Sequence, residues 1–139
     1  MRSRSTPAAS FTLATAPTFS QGAAFTPGAI TVDGIAVKIA TRATTPSGTM
    51  SVRLFNVTGG AAVAGTTVTI NVSDIDDDQG SAGSTNEGCS IGWYFFKFAA
   101  PVLLLGATNY RVEAQTSAAT QVNLFRDGTA NNMSRMLRT

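Results

Sequence analysis

The chain has 139 residues, of which 43% are hydrophobic and 13% charged, with a net charge of +2. That length suits one domain with its own core. The charged share is about half the usual one, which fits a surface largely covered by neighbours. There is no histidine and only one cysteine, Cys89. This excludes histidine-based acid–base catalysis, an intrachain disulfide and a multi-cysteine metal site.

The residues up to Pro17 are rich in Ser, Thr, Ala and Pro and show no sustained period. An extended N-terminal arm over residues 1–24 is expected, followed by a β-sandwich domain over 25–139. Phe11 and Phe19 give the arm something to bury on a partner. From residue 31 the pattern becomes period two, the spacing of a half-buried strand. Ile35, Val37 and Ile39 point one way and Lys38 and Arg42 the other. After the turn Thr45-Pro-Ser-Gly48, the segment 49–55 repeats the alternation, with Met50, Val52 and Leu54 inward and Ser51 and Arg53 outward. The segment 66–72 places Val68, Ile70 and Val72 on one face. A long polar loop is expected over 73–90, with room for a short helix over 73–80.

Two apolar segments follow, 93–98 and 102–105, read as two strands joined by a turn. Then come 109–114, with Tyr110, Val112 and Ala114 inward, 121–126, and a terminal strand over 134–138. Strands at this spacing, punctuated by Gly, Pro and Asn, predict an all-β fold. It is an antiparallel β-sandwich, jelly-roll-like, of about eight strands. No apolar run approaches the ~20 residues of a membrane helix, so no membrane partner is expected. The basic residues are scattered and form no stripe, so no nucleic-acid partner is expected either.

Candidate chemistry is sparse. Cys89 and the many hydroxyl residues lack a histidine partner, and no Gly-rich loop joins a strand to a helix. No catalytic residues are assigned and no enzyme is expected. The sharpest chemical signal is the acidic run Asp74-Ile-Asp-Asp-Asp78. Asp74, Asp76 and Asp78 have the alternate spacing of a calcium loop. Gln79 stands where the turn glycine belongs, and the twelfth position is Thr85 rather than Glu. The competing reading is a solvated acidic loop, and no cofactor is called beyond this calcium candidate.

The most informative stretch is Gly92-Trp-Tyr-Phe-Phe-Lys-Phe98, five aromatics in one strand. Aromatics on both faces require cover on both faces. One face makes the core. The other, either Trp93 and Phe95 or Tyr94, Phe96 and Phe98, needs a second partner. Phe11, Phe19, Trp93, Tyr94 and Phe96 are the candidate interface residues. A sugar-stacking platform of Trp93, Tyr94 and Tyr110 is the alternative.

The order of a Ser51-to-Phe55 strand, a Gly-rich turn, a second strand, a long loop, the Trp93 strand, Pro101-Val102 and Leu105-Gly-Ala-Thr-Asn-Tyr110 resembles a known group of modules. These are jelly-roll modules related to the galactose-binding-like and carbohydrate-binding sandwiches, found in bacteriophage virion and tail proteins and in bacterial surface proteins. The likeness runs from about residue 30 to 124. It implies a structural virion protein, either a capsid decoration or cement subunit or a tail or fibre subunit. Its partners would be copies of itself, with a trimer favoured, and other virion proteins. The virion is the implied location, otherwise the cell surface or the medium. The alternative implied is a carbohydrate-binding or adhesion module with a glycan partner.

Overall fold

The structure, a computed structural model, describes residues 10–75, 92–125 and 135–138. Ten strands form among them: β1 (Ser10–Thr12), β2 (Ser20–Gln21), β3 (Thr31–Arg42), β4 (Thr49–Asn56), β5 (Ala61–Ala62), β6 (Val68–Asn71), β7 (Gly92–Leu103), β8 (Tyr110–Thr116), β9 (Val122–Phe125) and β10 (Arg135–Arg138). All named pairings are antiparallel. No helix among the described residues is long and apolar enough to cross a membrane.

One sheet has the order β1-β9-β3-β7, with β10 continuing the line of β9 along β3. The other has the order β2-β8-β4-β6, with β5 beyond β6 on the same edge of β4. Leaving aside β5 and β10, consecutive strands alternate between the sheets except β4 and β6, which pair with each other in the second sheet. Each sheet interleaves early and late strands, as a doubly wound Greek key requires, so the predicted jelly-roll sandwich is the fold.

Alternation explains the core. Ile35, Val37 and Ile39 of β3, Met50, Val52 and Leu54 of β4, and Val112 and Ala114 of β8 are all fully buried between the sheets. Their odd-numbered or even-numbered neighbours face outward, as period two dictates. Leu124 stands opposite Ile39 and Phe96 opposite Ile35, so β9 and β7 extend the same apolar layer.

Three expectations change. Residues 10–24 do not form an arm beside the sandwich. β1 pairs with β9 and β2 with β8, so this segment supplies one edge of each sheet. Leu13, between them, is 2% exposed, and its N–H donates to the Val122 carbonyl at 2.9 Å. Burying that side chain contributes about 2 kcal/mol, which a free arm could not gain. The Ser/Thr/Pro composition concealed two strands too short to show a period. Residues 1–9 lie outside the described residues.

The second change concerns the Trp93 stretch. The two expected strands are one, β7, which runs through Pro101. Val102 pairs with Val32 and Lys97 with Gly34, so residues 98–101 bulge opposite Asp33 alone. Proline is tolerated there because a bulge on an edge strand leaves its missing N–H unneeded. The expected segment 66–72 also ends early. β6 stops at Asn71 and a 3-10 turn, Val72–Asp74, follows. Most of the predicted polar loop, 76–91, lies outside the described residues.

Candidate functional site

Register decides which face of β7 is inside. Tyr94 stands opposite Val37 and Phe96 opposite Ile35, both core residues. Phe96 and Phe98 are 1% and 2% exposed, and the Tyr94 ring lies 5.3 Å from that of Phe96. Phe96, expected at an interface, is therefore a core residue, and half-buried Tyr94 packs against the same core. The outward set is Trp93, Phe95 and Lys97.

Trp93 is 48% exposed and stands opposite Lys38. The Lys38 ammonium lies 5.1 Å from the centroid of the Phe125 ring, on the neighbouring strand β9. Phe95 lies over Gly34, where any Cβ would collide with the ring and come within 2.6 Å of the Phe96 carbonyl oxygen. A glycine in mid-strand thus gives an aromatic ring a seat on the outer face. Leu103, 63% exposed, extends the outward row beyond the bulge, and Leu105 follows at 58%. Both lysines of the chain, its one tryptophan, Phe95 and Phe125 therefore share the outer face of this sheet. Arg42, at the far end of β3, gives its Nε to the Ile75 carbonyl at 2.8 Å.

The three aromatics of the expected sugar platform share no surface. Tyr110 is 2% exposed and its hydroxyl accepts the Leu105 N–H at 2.8 Å. Tyr94 points away from Trp93, into the core.

The outer face of the second sheet carries a cluster that sequence reasoning missed. Glu113 of β8 is 1% exposed. It stands opposite Arg53 of β4, which reaches its Oε1 with Nη2 at 2.7 Å and Nε at 2.9 Å. The Arg111 Nε donates to Oε2 at 2.7 Å. The Arg53 guanidinium sits 3.7 Å from the Phe19 ring centroid, and that of Arg111 4.4 Å from Phe55. Aromatic lids over ion pairs exclude water and strengthen them. The available signal was opposite charges at outward positions of two strands, but their pairing depends on topology.

Phe11 and Phe19, the two other interface candidates, come together. With Thr12, Ala14, Ser20 and Gln21 they line a cavity of about 430 Å3 between β1 and β2. Among the described residues its lining carries no charge. The Ser20 hydroxyl accepts the Ala14 N–H at 2.9 Å, which ties the two strands across it.

Asp74 is exposed at the end of the 3-10 turn, where Asn71 Nδ2 donates to its carboxylate at 3.5 Å. Asp76, Asp78 and Cys89 lie outside the described residues. Among the described residues no three acidic or cysteine side chains gather as a metal site would require. No family model, curated protein or solved structure matches this chain.

Proposed function

We propose that the chain is a non-enzymatic structural subunit that works by surface contact with copies of itself and with other proteins of a particle. The virion setting, as a decoration, cement, tail or fibre subunit, follows from the resemblance of its strand order and Trp93 strand to phage modules. The observation that carries the contact reading is the outer face of β7. Trp93 and Leu103 on this face, and Leu105 just past the end of β7, are about half exposed or more in a chain with few charges. Large apolar side chains left exposed along one strand face favour an interaction surface.

Contact through the face is favoured over pairing along the strand edge. Lys97, Pro101 and the bulge at 98–101 all blunt β7 as a template for another strand. Light scattering on the whole chain tests the proposal. An oligomer that falls apart on Trp93→Ser, with an unchanged far-ultraviolet spectrum, is expected. A monomer at every concentration would overturn it.

The cavity between Phe11 and Phe19, whose described lining is uncharged, supports a second reading, a binding module for a neutral glycan. Two rings beside hydroxyl and amide groups can stack on a sugar and hydrogen-bond its hydroxyls. A glycan array separates the readings. Binding lost in Phe11→Ala without loss of fold supports the second, and a blank array sinks it.

A further inference from the structure

Residues 10–25 reach both sheets as one segment. β1 lies on β9, Thr15 bridges to Thr116, β2 lies on β8, and Phe25 bridges to Tyr110. Among the described residues, every backbone pairing of this segment beyond itself goes to residues 110–125. The segment is also tied to itself. The Ala14 N–H donates to the Ser20 hydroxyl at 2.9 Å and the Thr18 N–H to the Thr15 carbonyl at 3.1 Å, so the turn between β1 and β2 holds its own shape. Just beyond Phe25, Gly28 holds φ at 86°, and a Cβ there would meet nothing within 4 Å apart from its chain neighbours. A glycine in that conformation, with open space around it, suits a hinge.

Leu13 is the one buried side chain of the segment, and Phe11 and Phe25 pack half-buried against the core. β4 alone sets three fully buried side chains between the sheets. The free energy of local opening follows buried apolar contact, so the segment stands at the low end of the molecule and β3 and β4 at the high end. A further hold comes from β4, whose Arg53 guanidinium lies 3.7 Å from the centroid of the Phe19 ring. Arg53 is itself fixed by Glu113, which stands opposite Gln21 of β2. A fixed cation over a ring is a directional contact, and in a weakly buried segment it sets how often the segment opens.

We propose that residues 10–25 form a strap that opens about Gly28 as one body, and that Arg53 latches it shut through Phe19. Opening lifts β1 from β9 and β2 from β8, so it uncovers one edge of each sheet in a single event. Unpaired edges are what other strands add to, and the closed strap guards both. The inference is independent of the contact reading above, since it uses neither Trp93 nor the outer face of β7.

Native-state hydrogen exchange on the whole chain, read amide by amide, tests it. The amides of Leu13, Ala16, Gly22 and Phe25, and those of Tyr110 and Thr116 that donate back to the strap, should share one opening constant. It should exceed that of β3 and β4 on the order of a hundredfold. Phe19→Leu keeps an apolar side chain but removes the ring face, and should raise strap opening about fivefold. Ile35→Val, in β3, should speed exchange of β3 and β4 about fivefold and leave the strap unchanged. A lock supplies the converse. Leu13 bonds to the Val122 carbonyl, so the next pair, Thr12 and Asn123, is of the non-hydrogen-bonded kind, with Cα atoms about 4.5 Å apart and within disulfide reach. Thr12→Cys/Asn123→Cys, in a Cys89→Ser background, should slow exchange at Ala16 and Gly22 about tenfold or more when oxidised, relative to the same protein reduced.

Strap amides that exchange at the rate of β3 and β4, or that respond to Ile35→Val as those strands do, show that the segment leaves only with the whole fold and overturn the proposal. Unchanged strap exchange in Phe19→Leu overturns the latch. An oxidised lock that leaves Gly22 exchanging as before shows that the segment frays piece by piece, and overturns the single-body opening.

Discussion

Glu113→Gln tests the physics of the outer cluster on the second sheet. The substitution keeps size and shape but replaces the charge shared by two guanidinium groups. Three charge-assisted hydrogen bonds converge on this carboxylate, at 2.7, 2.7 and 2.9 Å. Breaking a buried ion pair by removing one partner costs about 3–5 kcal/mol. Arg53 and Arg111 are 24% and 22% exposed, so water reaches them once the carboxylate is gone. The discounted cost is about 2–3 kcal/mol. A domain of this length loses about 0.3 kcal/mol of stability per degree at its midpoint, so Tm should fall by about 7–10 °C.

The decisive assay is a double-mutant cycle of Arg53→Met and Glu113→Gln, followed by thermal melting. A coupling of about 1–3 kcal/mol is expected because both groups serve one network. Salt at about 0.5 M should leave most of the effect in place, because Phe19 and Phe55 shield the pair. A Glu113→Gln shift below about 2 °C, or coupling near zero, would refute the reasoning.

Three further substitutions probe the fold. Thr66→Val removes a buried hydroxyl that accepts the Leu54 N–H at 3.1 Å and donates to the Val63 carbonyl at 2.7 Å. It should cost about 1–3 kcal/mol by urea unfolding, and Thr66→Ser should recover most of it. Gly34→Ala should lower Tm by about 3–7 °C, for overpacking against Phe95 and the Phe96 carbonyl. Adding Phe95→Leu should restore little of that, because the backbone contact remains. Thr120→Gly should raise Tm by about 3 °C, since Thr120 holds φ at 59°, a left-handed conformation that costs a β-branched residue about 1–2 kcal/mol. An unchanged melt would refute each.

Sequence pattern revealed the long strands because their side chains alternate over many residues. β3 ends where it was expected, at Arg42, and its inward set of Ile35, Val37 and Ile39 is the observed one. β1 and β2 were not legible, since three and two residues cannot show a period and their partners lie about a hundred residues away. The union of two segments into β7 was hidden for a related reason. Pro101 reads locally as a terminator, and only the bulge opposite Asp33 shows why it does not end the strand. The inner face of β7 was undecidable for want of register. Five aromatics fill both faces of an isolated strand, and the choice falls only when Phe96 is set against Ile35.

That choice changes where function is sought. The outward charges of the second sheet satisfy one another: Glu113 links Arg53 and Arg111, and Phe19 and Phe55 cover the arginines. The cluster binds β4 to β8, with Phe19 closing over it from the segment before β2, and its buried carboxylate is already fully occupied. The outer face of the first sheet is the reverse case. Lys38 has a ring beside it, Lys97 is exposed, and Trp93 is half in solvent. A face whose charges are balanced within the fold contributes mainly to stability. A face with two cations and a half-exposed tryptophan gains most from a partner that brings carboxylates and apolar cover together. Both faces are built from the same alternation, so it is the placement of Glu113 among the arginines, away from the lysines, that leaves the exposed lysine and tryptophan on the β7 side.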